Sequence, residues 1–126
     1  MTKYQKLPED TQSKKHYDLE DRTFRFTKNV FSFIDTTAKT LTNIEVSKQL
    51  ARSAGSVGAN YIEANESLSK KDFIMRIKIC RKESKESRYW LLLINCTGES
   101  AIMRDNLVQE STELMKIFGA ILEKSK

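Results

Sequence analysis

The chain has little of the chemistry that most enzyme sites require. Its 126 residues include one histidine, His16, and two cysteines, Cys80 and Cys96. One histidine in a polar amino-terminal segment cannot supply a Cys/His zinc site or the base of a nucleophilic triad. The two cysteines lie more than ~20 Å apart if they share one predicted helix, which is too far for a disulfide. Most enzyme classes are therefore excluded, and we expect no metal and no cofactor.

Turn-forming residues and long apolar runs are also scarce. One Pro and four Gly leave little turn chemistry for an all-β fold, while 31% charged and 39% hydrophobic residues suit amphipathic helices. No apolar run approaches the ~20 residues of a membrane span, and the amino terminus lacks the hydrophobic core of a signal peptide. We therefore expect one domain without a membrane segment, in the cytoplasm.

Apolar periodicity predicts two helices in the first half of the chain. The first reads from about Asp18 to Thr40, after a flexible polar tail over residues 1–17. Thr42 and Glu45 have the spacing of a capping box, in which the Thr side chain accepts from a backbone amide and the Glu reaches back. A second helix is therefore predicted from this point to about Ser67.

Two further helices follow after short turns. Ser69 is a candidate N-cap for a third helix, which Gly98 ends by adopting a left-handed conformation. The fourth helix begins near Ser100. Because short turns make neighbouring helices antiparallel, residues 18–126 are predicted to form an all-α, up-down-up-down four-helix bundle.

Small residues cluster on the second helix around Ala54 and Gly58. Glycine inside a helix costs stability, so its presence indicates that something gains from the missing side chain. Close approach of another helix in the same chain is the simplest reason. A ligand site lined by Asn60 and Glu63, or a contact between subunits, are the alternatives.

Basic residues concentrate in the third helix. Residues 68–97 hold eight Lys and Arg against three Asp and Glu, a surplus equal to the net charge of +5 of the whole chain. Six of the bases fall on one flank over about 25 Å, a stripe that can track the phosphates of RNA or DNA. The alternative is a solvated face with i,i+4 pairs such as Lys82 with Glu86. The predicted phosphate contacts are Lys71, Lys78, Arg81, Lys82, Lys85 and Arg88.

Apolar residues also lie outside the predicted core faces of the first and third helices. Surplus apolar surface of this kind is typical of proteins that self-associate. The adjacent Tyr89 and Trp90 have a second interpretation as a base-stacking platform, against an interface or core anchor. The predicted oligomer contacts are Phe24, Phe31, Met75, Ile79 and Trp90.

Carboxylate pairs supply the enzyme alternative. An ExxE spacing places two carboxylates on one helix face, as the Mg²⁺ site of a helical nucleotide hydrolase requires. Such spacings are frequent by chance in helices rich in Glu, and no ExxH half-site of a di-iron bundle accompanies them. The prediction is therefore a protein that is not an enzyme. The pairs are Glu63/Glu66, Glu83/Glu86 and Glu110/Glu113.

The stretch "RSAGSVGANYIEANESLSKKDFIMRIKICRKESKESRYWLL", Arg52 to Leu92, resembles the core signature of the 23S rRNA intervening-sequence proteins. The resemblance implies a bacterial four-helix bundle that assembles as a ring-like homopentamer, with no established catalytic residues. The chain is also similar to the accessory protein of diversity-generating retroelements, a pentameric bundle that binds nucleic acid and a reverse transcriptase.

These observations lead to one functional prediction and one alternative. We expect a homo-oligomeric bundle, pentameric by resemblance, that binds rRNA or another nucleic acid through the basic stripe of the third helix. Because the chain has no recognisable RNA-binding motif, such binding would depend on charge and shape rather than base sequence. The alternative is a structural or protein-interaction scaffold that does not bind nucleic acid.

Overall fold

Four helices make up the part of the chain that the structure describes. The structure is a computed structural model that describes the backbone of residues 11–126 and the side chains of residues 19–126. The helices are α1 (Thr11–Thr36), α2 (Leu41–Asn65), α3 (Lys70–Leu93) and α4 (Gly98–Lys124), and no strand occurs within these residues. The predicted all-α fold is therefore confirmed.

Neighbouring helices run antiparallel. The hydroxyl of Thr27 on α1 donates to the carbonyl oxygen of Ala54 on α2 over 2.9 Å. The guanidinium of Arg76, early in α3, donates over 2.9 Å to Oδ1 of Asn60, late in α2. Consecutive helices pack along their length, and α4 contacts α1 less extensively to close the bundle. One flank of α3 therefore faces α2 and the other faces α4.

The first two helices begin at positions other than those predicted. Helix α1 starts at Thr11, so residues 11–17 of the predicted tail are helical, whereas residues 1–10 lie outside the described residues. The N-cap of α2 is Thr40, whose hydroxyl accepts from the backbone N–H of Asn43 over 3.2 Å. The predicted cap, Thr42, lies inside the first turn instead, because two threonines two residues apart offer overlapping capping patterns.

The third helix begins as predicted and ends earlier. The side chain of Ser69 accepts from the backbone N–H of Asp72 over 3.1 Å, which confirms the predicted N-cap. The helix stops at Leu93 because the next residue, Ile94, has extended backbone and a buried side chain. Gly98 does adopt a left-handed φ of 58°, but it begins α4 rather than ending α3.

The core is built from aromatic and aliphatic residues of all four helices. Gly58 explains part of its density, because a Cβ at this position would lie 3.2 Å from Oγ1 of Thr23 on α1. Close packing of α1 on α2, the first of the three alternatives for the small residues of α2, is therefore present at this glycine. The largest fully buried apolar side chains are Phe26, Phe33, Leu50, Ile77, Leu91, Leu114 and Phe118.

Asn43 joins two loops at one end of the bundle. Its side-chain amide donates to the carbonyl oxygens of Ala38 and Asn95, and both donor–acceptor distances are 3.0 Å. Its Oδ1 accepts a hydrogen bond from the backbone N–H of Asn95 at a distance of 3.0 Å. The residue is almost fully buried. The α1–α2 and α3–α4 connections are therefore held together by one polar side chain. Across residues 11–126, no helix is both long enough and apolar enough to cross a membrane.

Candidate nucleic-acid interface

The six predicted phosphate contacts lie on the outer surface of α3 and on its flank toward α4. Helix geometry confines them to an arc of about 120° around the helix axis. Arg81 marks the α4 side, because a Cβ at Gly119 of α4 would lie 4.0 Å from its Cδ. One of the six, Arg88, is half-buried, and its buried Nε has no hydrogen-bond acceptor in the described part of the chain. The exposed members are Lys71, Lys78, Arg81, Lys82 and Lys85. These six residues form the basic stripe of α3.

No acidic side chain of residues 19–126 neutralises the basic stripe through an ion pair. None of its six members has a carboxylate oxygen within 4.0 Å of a side-chain nitrogen among these residues. Lys82 and Glu86, the i,i+4 pair expected if α3 simply had a solvated face, do not form an ion pair. Glu86 instead pairs with Arg52 on α2. The charge of the stripe therefore faces solvent uncompensated by direct contacts.

Arg52 on α2 pairs with both glutamates of α3, on the flank of α3 that faces α2. Its guanidinium lies 3.4 Å from Oε1 of Glu83 and also bonds Glu86. Glu83 is only 6% exposed, so its carboxylate needs a cationic partner to offset lost hydration. The hydrogen bond with Glu83, followed by the charges of both glutamates, raises the pKa of Arg52 despite some desolvation. The acids of α3 thus lie on the side away from α4.

Arg22 plays the corresponding role between α1 and α4. Its Nε donates to Glu110 over 2.7 Å, and its Nη2 donates to Glu110 over 2.8 Å and to Glu113 over 2.7 Å. The hydrogen bond with Glu110 is the main cause that raises the pKa of Arg22. A hydrogen bond from Gln109, then one from Arg22, lowers the pKa of Glu113. These two glutamates of α4 are therefore turned toward α1.

Two of the three predicted carboxylate pairs each contact an arginine. Glu83/Glu86 contacts Arg52 and Glu110/Glu113 contacts Arg22, where the enzyme alternative needed Mg²⁺. The third pair, Glu63 and Glu66, is exposed near the end of α2. Among the side chains of residues 19–126, no group of three or more His, Cys, Asp or Glu is placed to hold a metal ion. The predicted ligand residue Asn60 is engaged by Arg76, and its amide donates to Ser56.

The five predicted oligomer contacts divide by exposure. Phe24 and Phe31 on α1 are 53% and 46% exposed, and Met75 on α3 is 48% exposed. Ile79 and Trp90 are half-buried, and Trp90 packs against the core. Phe24 lines a groove between α1 and α2 together with four residues of α2, and the lining is mostly apolar. These four are Gly55, Gly58, Ala59 and Ile62.

Tyr89 lies on the same side of α3 as the basic stripe. It follows Lys71 by eighteen residues, which is five full helical turns, and it follows Lys85 by four. Its side chain is 57% exposed. The ring meets that of Trp90 in a T-shaped contact with centroids 5.0 Å apart. The structure therefore places an exposed aromatic ring at one end of the stripe and a half-buried one behind it.

Two grooves in the described part of the chain lie away from the basic stripe. An open groove of about 470 Å³ runs between α1 and α4. Both arginines that line it pair with carboxylates of the same chain, Arg22 with Glu110 and Glu113 and Arg25 with Asp21. Sequence reasoning missed the roles of Arg22 and Arg52, although the ExxE spacing was a signal that two carboxylates could converge on one cation.

Comparisons with known proteins agree with this architecture. A family model described as 23S rRNA-intervening sequence protein matches residues 15–120. A crystal structure of a protein with unknown function from the S23 ribosomal protein family of Bacteroides thetaiotaomicron is similar, with a TM-score of 0.71 and 30% sequence identity. The similarity covers 82% of this chain and 96% of that one. No curated protein matches the chain significantly.

Proposed function

The chain belongs to the 23S rRNA-intervening sequence protein family, and from this premise we propose that it is a non-enzymatic, homo-oligomeric bundle that binds RNA or another nucleic acid through the basic stripe of α3. The observation that carries the proposal is the absence of ion pairs to the stripe within residues 19–126. Arg22 and Arg52 are each paired with two glutamates of the same chain, whereas the stripe cations remain available to a polyanion.

The dimensions of the stripe suit a phosphate backbone. From Lys71 to Arg88 it extends about 25 Å along the helix axis at a rise of 1.5 Å per residue. Neutralising phosphates releases condensed counterions, so the binding should weaken linearly in log affinity with log salt concentration.

Self-association forms the second part of the proposal. Phe24 and Phe31 lie seven residues apart on α1 and are both about half exposed, and a groove with a mostly apolar lining lies beside the first of them. We propose that these residues, with Met75, take part in contacts between copies, in a pentamer as the resemblance implies. Several copies would present several stripes to one polyanion, which raises avidity without any new contact.

The proposal is tested by nucleic-acid binding across a salt series. Fluorescence anisotropy with a labelled 20-base-pair duplex at 50 to 300 mM KCl gives the affinity and its salt slope, and light scattering on the same sample gives the mass. The variant Lys82→Glu with Lys85→Glu removes two stripe cations. We expect it to weaken binding at every salt concentration and to reduce the slope by about 2, or about 1 for each lost phosphate contact.

A matched control separates the stripe from net charge. Lys28 on α1 and Lys124 on α4 are exposed, lie on other helices and form no ion pair within residues 19–126, so Lys28→Glu with Lys124→Glu changes net charge equally. This control should retain most of the affinity. Equal losses in both double variants would show that only total charge matters, and unchanged binding in the stripe variant of normal mass would refute the stripe. A uniform oligomer that binds neither this duplex nor single-stranded RNA at 50 mM KCl would favour the scaffold alternative.

A further inference from the structure

We propose that Tyr89 is a stacking platform for an unpaired base, so that the strand bound by the basic stripe is single-stranded where it passes the carboxyl-terminal end of α3. This inference rests on the proposed function and specifies the kind of nucleic acid that the stripe receives. It starts from the position of the ring. Tyr89 continues the line of Lys71, Lys78 and Lys82 along the helix surface, at the end of that line.

The surroundings of the ring favour a base over a phosphate. Lys85 lies one turn before Tyr89, and side chains four residues apart are neighbours on a helix surface. After Tyr89 the surface becomes apolar, with exposed Leu92 and Leu93 at the next turn. A base stacked on Tyr89 would therefore keep its phosphate beside Lys85. Aromatic rings with flanking cations are how sequence-tolerant single-strand binders combine stacking with backbone attraction.

The ring is also held in place by a chain of contacts that reaches α2. Trp90 meets Tyr89 edge to face, and its indole Nε1 donates to Oε1 of Glu86 over 3.4 Å. Glu86 is itself bound by Arg52. The body of Trp90 packs against the core. An exposed tyrosine supported in this way loses less side-chain entropy when a base stacks on it, because its orientation is already restricted.

Duplex nucleic acid cannot use this platform, since its bases are already stacked on one another. A 20-nucleotide RNA without self-complementarity and the duplex formed with its complement therefore provide matched probes. We expect Tyr89→Ala to lower the affinity for the single strand by about 5- to 150-fold, the range for loss of one stacked base. The duplex affinity and both salt slopes should stay as in the wild type, because no charge is changed.

A conservative variant and a fluorescence measurement add to this binding test. Tyr89→Phe keeps the ring and should retain single-strand affinity. Trp90 is the only tryptophan of the chain, so binding of the single strand should alter its fluorescence in the wild-type protein, and more than binding of the duplex does.

Each contrary outcome has a distinct meaning. If Tyr89→Ala weakens both probes equally, or neither, the platform is refuted while the stripe stands. If the variant changes the mass of the oligomer, Tyr89 is a subunit contact and the inference is wrong. If the wild type binds neither probe at 50 mM KCl, the proposed function itself fails and the platform fails with it.

Discussion

Replacing Asn43 by alanine should destabilise the whole bundle, although the residue lies in no helix interface predicted from the sequence. Its side chain makes three hydrogen bonds of 3.0 Å, two as donor and one as acceptor. Each such bond contributes about 0.5–1.5 kcal/mol net, and the backbone groups of Ala38 and Asn95 would lose partners in a largely buried place. We expect the free energy of unfolding to fall by about 2–4 kcal/mol, with a decrease in Tm of roughly 10 °C.

The measurement is urea unfolding followed by circular dichroism at one fixed protein concentration, because the stability of an oligomer depends on concentration. Asn29→Ala is the matched control, since Asn29 is an exposed helical residue and the same atoms are removed. It should change stability by no more than about 0.5 kcal/mol. A loss below about 0.5 kcal/mol for Asn43→Ala would show that water replaces the amide and that the loops do not depend on it.

Two smaller perturbations test the packing and the ion pairs. Gly55→Ala should stabilise α2 by about 0.5–1 kcal/mol, because a Cβ there meets no atom within 4 Å. Gly58→Ala must push the Thr23 side chain on α1 aside and should lose that gain; equal urea midpoints would contradict the close approach. A hydrogen bond from Gln109 and one from Arg22 lower the pKa of Glu113 from its usual 4.5, so their stabilisation is present above that pH and is lost on acidification through the lower folded-state pKa. Arg22→Gln should therefore reduce the loss of stability between about pH 5 and pH 3, and an acid profile identical to the wild type would exclude this pair as its source.

The helices could be predicted from the sequence because their signals are local. The apolar period and the Ser69 cap depend on residues within four positions of each other, and both are present in the structure. The end of α3 could not be predicted in this way. It ends at Leu93 where Ile94 enters the core and Asn95 meets Asn43, a residue 52 positions away. A left-handed glycine nearby, Gly98, therefore marked the wrong boundary.

The candidate site shows the same division. Helix geometry alone assigned the six cations to one flank of α3, because their spacing fixes their direction. The sequence could not show which of them would be neutralised. Glu86 lies four residues after Lys82, and the spacing predicted an ion pair between them. In the structure Glu86 instead bonds Arg52, which is 34 residues away. Nη2 of Arg52 contacts both Glu83 and Glu86, so one cation serves two carboxylates on the flank that faces α2.

The two arginines also explain how a chain of modest net charge maintains a strongly positive flank. The net charge is only +5, but Arg52 and Arg22 direct four glutamates of α3 and α4 toward α2 and α1. The two glutamates of α3 are sequence neighbours of Lys82 and Lys85, but their carboxylates pair with Arg52 and not with the stripe. Net charge is therefore a poor guide to the proposed affinity for a polyanion. The position of each charge decides it, which is why variants of equal net charge but different position are the decisive comparison.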